Sequence, residues 1–131
     1  MSNLVWSDAF KLNVDVMDED HAKLVELLNG AEQAPSSALE EFLDALLQQL
    51  GAHFAHEEEL MDRVGFFAAD CHKKEHARVL AEAGEVRARL QAGDEDAARL
   101  YLSERMPCWF IQHLRTMDAA TAAFALRSAT P

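Results

Sequence analysis

Four stretches of this chain repeat apolar residues at the three- and four-residue spacing of a helix face, and none alternates as a strand would. The first stripe is His21, Leu24, Val25 and Leu28; the second, the cleanest, is Leu39, Phe42, Leu43, Leu46, Leu50, His53, Glu57 and Leu60. A third runs through His72, His76, Val79, Leu80, Ala83, Val86 and Leu90, and a fourth through Leu102, Met106, Trp109, His113, Met117, Ala120 and Phe124. Residues between the stripes read as stops and starts. Asp18 has the chemistry to cap a first helix over residues 19–32, Gly30 with Pro35-Ser36-Ser37 ends it, and Ser37 with Glu40 has capping-box spacing for the second. Gly65 closes that second helix, a third begins near Ala69, and Gly93-Asp94 makes the turn into the last, which Pro107 is expected to kink or split. Residues 1–17 read as an extended arm offering Trp6, Phe10, Leu12, Val14 and Val16 to the core. The pattern predicts an all-α fold, an antiparallel up-down-up-down four-helix bundle over 18–127, in one domain spanning 1–131.

Composition narrows the function classes. Half of the residues are apolar and 27% are charged, with three prolines and five glycines, which suits a compact helical chain rather than a disordered one. At 131 residues, folding hides roughly 68% of the unfolded surface, so a core forms without disulfides. The net charge of −11 repels a phosphate backbone or an anionic membrane surface, so nucleic acid is not an expected partner. Met1 to Phe10 has no basic stretch followed by an apolar run, and no segment approaches 18 uninterrupted apolar residues, so no membrane insertion is expected and the cytoplasm is the expected compartment. Cys71 and Cys108 lack CxxC spacing and read as free thiols in a reducing compartment.

The chemistry lies in five of the six histidines and two acids: His21, His53-x3-Glu57, His72-x3-His76 and His113-x4-Asp118. A four-residue step brings two side chains out on one helix face, one turn apart, so each such pair can grip a common site. His53 and Glu57 continue a leucine stripe and are therefore aimed at the core, where unpartnered polar groups cost kilocalories each; a metal supplies the missing partner. Imidazole with carboxylate suits iron, zinc or copper rather than magnesium or calcium. For two six-coordinate ions, five histidines, two bridging carboxylates and one shared oxo or hydroxo oxygen fill all positions but one, which leaves room for dioxygen. A shell dominated by neutral histidines favours reversible binding over oxygen splitting. The five-residue step from His113 to Asp118 is the weakest spacing, because it carries the acid to one side unless the helix is locally distorted. His56 lies off the stripe and reads as a surface residue.

At these residues the chain resembles the bacterial hemerythrins over almost its whole length: Trp6 in a WSD start, Met17-Asp18-Glu19-Asp20-His21, His53-Phe54-Ala55-His56-Glu57-Glu58, His72-Lys73-Lys74-Glu75-His76, and Trp109-Phe110-Ile111-Gln112-His113 followed by Asp118. The resemblance implies two non-haem irons per chain joined by an oxo or hydroxo group, with His72, His76 and His113 on one iron, His21 and His53 on the other, and Glu57 and Asp118 bridging. It also implies reversible dioxygen binding at the two-histidine iron, in a pocket lined by Leu24, Phe54, Trp109 and Phe110. The expected role is oxygen carriage or storage in a bacterial cell, with dioxygen as ligand and an oxygen-consuming enzyme as a recipient, rather than catalysis. Asp20 stands where such relatives usually carry Gln, and Asn13 where Gly is common; Cys71 and Pro107 flank ligand-bearing segments. These departures bear on oxygen affinity and autoxidation.

Three other readings compete. Oxygen or redox sensing would use the same site. A di-iron oxidase or peroxidase of the ferritin-like kind relies on Glu-x-x-His pairs, which the seven donors do not contain. His72-x2-Glu75-His76 matches the H-x-x-E-H form of a zinc hydrolase with Glu75 as base, but leaves His21, His53, Glu57 and His113 without a role.

Overall fold

The computed structural model describes residues 4–128, so residues 1–3 of the expected arm and the end of the chain after 128 lie outside the described residues. Four helices account for most of it: α1 (Asp15–Glu32), α2 (Leu39–Val64), α3 (Ala69–Gln91) and a composite α4 over 95–128. Neighbours in sequence pack against one another, α1 on α2, α2 on α3 and α3 on α4, while α4 returns to α1 and α2 and closes an antiparallel four-helix bundle. The described residues include no strand, and no described helix is long and apolar enough to cross a membrane.

The arm is shorter than expected, because α1 begins at Asp15 rather than 19 and takes Val16 into its first turn. Asp18 accordingly is not the N-cap. Its carboxylate reaches back to accept from Leu12 N–H at 2.8 Å and Asn13 N–H at 3.1 Å, tying the arm to the helix it precedes. Asn13 sits at φ +66°, the left-handed region where Gly and Asn are the residues that pay least strain. A single 3₁₀ turn (Asp8–Phe10) interrupts the arm, Trp6 stacks on Phe10, and Asn29 exchanges two hydrogen bonds with Leu4, at 3.0 and 2.6 Å.

Gly30 does not break α1, which continues through Glu32. A β-carbon at Gly30 would stand 3.2 Å from the Phe42 ring, so the glycine instead lets α2 come close. The expected Ser37–Glu40 capping box does not form. Ser36–Ala38 make a 3₁₀ turn that feeds straight into α2, with no side chain capping either start. Gly65 does close α2, at φ +66°, with Phe66 N–H bonded to Met61 C=O at 3.0 Å, and Asp94 caps α4 by accepting from Ala97 N–H.

Helix α4 departs most from an ideal pattern. It is not split at Pro107; it carries two π turns, Tyr101–Arg105 and Leu114–Asp118, between α-helical segments. Met106 N–H reaches back five residues to Tyr101 C=O, and Ala119 N–H five residues to Leu114 C=O. The first π turn lies immediately before the turn holding Pro107, whose ring needs space against the preceding turn and whose nitrogen has no proton to give. The second inserts one extra residue into the helix. The inward face downstream therefore moves on by one: Asp118, Thr121, Ala122 and Ala125 are buried, whereas Ala120 is exposed and Met117 and Phe124 are only partly covered.

The core has two unequal apolar parts. The larger gathers Leu24, Val25 and Leu28 of α1, Leu39, Leu43, Leu46, Leu50 and Phe54 of α2, Val79, Ala83 and Val86 of α3, and Leu102, Met106, Phe110 and Leu114 of α4. The smaller is built on Met17, Leu60, Ala122 and Ala125. Along α1, α2 and α4, the buried polar residues His21, Glu57 and Asp118 fall between these two parts, so a polar layer crosses an otherwise apolar interior.

Candidate metal centre

Each helix contributes to that layer because its inner stripe reads histidine or acid at one level. His21 comes from α1, His53 and Glu57 from α2, His72 and His76 from α3, His113 and Asp118 from α4, and all seven are between 0 and 4% exposed. Their donor atoms form two overlapping groups: Glu57, His72, His76, His113 and Asp118, and His21, His53, Glu57 and Asp118, with the atoms of each group within 4.8 Å of one another. The π turn at Leu114–Asp118 supplies the distortion that the five-residue spacing requires. It brings Asp118 Oδ1 to 3.1 Å from His113 Nε2.

Both carboxylates divide their oxygens between the two histidine groups. Glu57 turns Oε2 to His53 Nε2 (2.7 Å) and His21 Nε2 (3.5 Å), and Oε1 to His76 Nε2 (3.1 Å) and His72 Nε2 (3.3 Å). Asp118 turns Oδ2 to His21 Nε2 (3.0 Å) and Oδ1 to His72 Nε2 (3.0 Å) and His113 Nε2. Several of these atoms nevertheless lack a well-directed hydrogen bond among the described residues: both Glu57 oxygens, Asp118 Oδ1 and His76 Nε2 are buried without one. His72 Nε2 and His113 Nε2 stand 3.0 Å apart, nitrogen facing nitrogen. Donors aimed at shared points rather than at one another fit metal ions, since two ligands at right angles on bonds of roughly 2.1 Å lie roughly 3 Å apart. The donor set therefore fits a pair of ions of the imidazole-loving kind.

Outer partners fix which nitrogen faces the centre. Asp20 Oδ2 accepts from His53 Nδ1 at 3.1 Å, and Glu58 Oε2 accepts from His76 Nδ1 at 3.0 Å. Thr121 gives its own proton to Met117 C=O, so its oxygen accepts from His72 Nδ1 at 2.9 Å. In these three rings Nε2 is the inward atom. Sequence reading did not single out Asp20, Glu58 or Thr121 as such partners. The signals were faint: an acid beside His21, an acid beside Glu57, and a threonine one turn after Asp118. His56 is likewise not a plain surface residue, for its Nδ1 donates to the same Asp20 oxygen at 2.7 Å while its side chain stays 47% exposed.

Rings close over the layer. Phe54 stacks on His76 (centroids 3.9 Å, 5° between planes), Phe110 meets His21 edge-on at 5.5 Å, and Trp109 stacks on His113 at 4.5 Å. Leu24 is buried one turn from His21. Trp109 donates its Nε1–H to Glu75, whose carboxylate also accepts two bonds from Arg78. The Arg78 bond, against partial burial, holds Glu75 down to about 2. A carboxylate so engaged is a poor general base, which removes the support for the zinc-hydrolase reading.

Without metal, protons take the place of the ions. Burial opposes charge on His53, but the Glu57 charge and the bonds to Asp20 and Glu57 outweigh it and raise the ring to about 10; His72 is raised in the same way to about 9 by Asp118 and Glu57. Burial pushes Glu57 and Asp118 upward, the Glu57 charge adding to the push on Asp118, yet the surrounding imidazoles hold both below the usual carboxylate range. Raised imidazoles stabilise the fold fully below about 6.5 and lose that contribution as pH climbs through 9 to 10, whereas depressed carboxylates contribute above about 4.5 and lose it in acid. Metal-free protein is therefore expected to melt at progressively lower temperature from pH 6.5 to pH 10 in chelator, while metal-loaded protein shows a much shallower slope. Equal slopes would mean that the imidazoles do not exchange protons for metal.

Residues 12–125 match the family model described as the hemerythrin HHE cation binding domain. A bacteriohemerythrin of Stenotrophomonas maltophilia is 35% identical over 128 residues, covering 93% of this chain and 81% of the relative. One from Ralstonia nicotianae is 36% identical over 118 residues, covering 90% and 85%. The similarity extends to a myohemerythrin of Sipunculus nudus, 28% identical over 114 residues and 87% of each chain.

Proposed function

The chain belongs to the hemerythrin family, and on that premise we propose that it binds dioxygen reversibly at a non-haem di-iron centre, for carriage or storage in the cytoplasm of a bacterial cell. One observation carries the reading: Glu57 and Asp118 each offer one oxygen to the His21/His53 side and the other to the side of His72, His76 and His113. Glu57 and Asp118 would thus be shared by two ions, with His21 and His53 serving one and His72, His76 and His113 the other, and the side with fewer imidazoles would have room for a small ligand.

Held by these seven residues, a pair of irons would supply reversible one-electron redox chemistry toward dioxygen. The chain's own residues do the rest. Asp20, Thr121 and Glu58 accept hydrogen bonds from Nδ1–H of His53, His72 and His76 and leave each Nε2 lone pair facing the centre. Glu57 and Asp118 keep the two halves at a fixed separation, because each is gripped from both sides. Leu24, Phe54, Phe110 and Trp109 form an apolar wall that admits a small neutral gas and excludes water, protecting the reduced centre from irreversible oxidation. Nothing in that wall offers a base or nucleophile to a larger substrate, which favours binding over catalysis. The released gas would pass to an oxygen-consuming enzyme.

The decisive measurement is metal analysis with visible spectroscopy. Protein reduced under argon and opened to air is expected to contain two irons per chain and to develop a charge-transfer absorption that fades when argon is restored. One zinc per chain, or an absorption change that argon never reverses, would overturn oxygen carriage.

A further inference from the structure

Asp20 is 5% exposed, yet it carries a carboxylate into the interior of α1, one residue before His21. Its Oδ2 accepts from two imidazoles of α2, the buried His53 at 3.1 Å and the half-exposed His56 at 2.7 Å. Both bonds run to a single oxygen. The ring of His53 is held from opposite ends, by Asp20 at Nδ1 and by Glu57 at Nε2, so a His56–Asp20–His53–Glu57 line crosses from the surface to the centre.

Three other inward imidazoles have weaker backing. His72 donates to a neutral threonine hydroxyl, His76 to a Glu58 whose side chain is 35% exposed and so screened by solvent, and His21 Nδ1 has no hydrogen-bond partner among the described residues. A buried anion behind a ring pulls on its Nδ1 proton and makes the opposite nitrogen a stronger donor to a metal. Resting on the di-iron reading above, we propose that Asp20 is a positioning residue that orients His53 and, through its buried negative charge, strengthens the hold of the His21/His53 half on its ion. His56 serves it from outside, fixing the carboxylate so that it faces His53.

The test compares iron release from ferrous-loaded full-length protein under argon, using a colour-forming ferrous chelator. In Asp20→Asn, which keeps shape but not charge, about half of the iron is expected to leave about tenfold faster while the rest keeps its wild-type rate. Asp20→Gln, a neutral amide of longer reach, is expected to behave the same way and decides the matter if the Asn protein does not keep wild-type helical circular dichroism. Release curves that superpose on wild type in either well-folded variant would overturn the proposal, since a neutral acceptor would then suffice. Equal acceleration of all the iron would also overturn it, because general loosening does not choose one side. Wild-type protein holding fewer than two irons would bring down the di-iron reading and this inference together; two irons with unchanged release would bring down this inference alone.

Discussion

Glu57→Ala is expected to leave a chain that retains less than one iron and unfolds at a markedly lower temperature even without metal. Glu57 is the one donor that faces His21, His53, His72 and His76 together, through two fully buried oxygens. Its loss removes a bridge from both halves and the anion that balances the raised His53 and His72 rings. Breaking a buried charge pair by deleting one partner costs about 3 kcal/mol or more. In a chain of 131 residues that lowers the melting temperature by roughly 10 °C. Thermal unfolding in chelator, with iron analysis of the reconstituted variant, reads both effects. A variant that still took up two irons would show that the bridges are redundant.

The second large effect separates two histidines that the spacing already sets apart. His113→Ala is expected to hold at most one iron and to lose the reversible absorption, because His113 Nε2 lies 3.0 Å from His72 Nε2 and 3.1 Å from Asp118 Oδ1 at the heart of the three-histidine side. It also removes the ring on which Trp109 stacks. His56→Ala is expected still to load two irons, for its ring bonds the outer carboxylate of Asp20 and is not one of the seven inward donors; its loss acts on the rate at which the His21/His53 side releases iron rather than on loading. Equal metal loss from the two variants would overturn the assignment of ligands.

Residue spacing made most of this architecture legible. Period-3.6 stripes located four helices, and interruption of the α2 leucine stripe by His53 and Glu57 marked the level at which polar groups enter the core. Gly65 ends α2 and Gly93-Asp94 turns into α4 where the sequence places them, since a left-handed stop and a turn are local events; sequence reading did not single out Asp94 as the cap of α4. The misses have a common cause. Asp18 reads as a cap from its own helix, but its carboxylate is claimed by the arm; Gly30 reads as a stop, but α2 needs the space its missing side chain leaves. Ser37 has the right spacing for a capping box, but the backbone enters α2 through a 3₁₀ turn instead. Met117, Ala120 and Phe124 would line up on an ideal helix, but the π turn that contains Met117 and precedes the other two moves the inward face on by one residue.

The sequence by itself determined that four helices form and that His21, His53, Glu57, His72, His76 and His113 point inward, because helix periodicity and the cost of burying unpartnered polar groups are properties of one segment at a time. Tertiary structure alone decided how the two carboxylates share their oxygens, that Asp20 backs His53 and Thr121 backs His72, and that Asp118 swings into line through a π turn. Those contacts join residues as much as 97 positions apart, and their geometry depends on how four helices settle against one another, which no spacing within a single helix encodes.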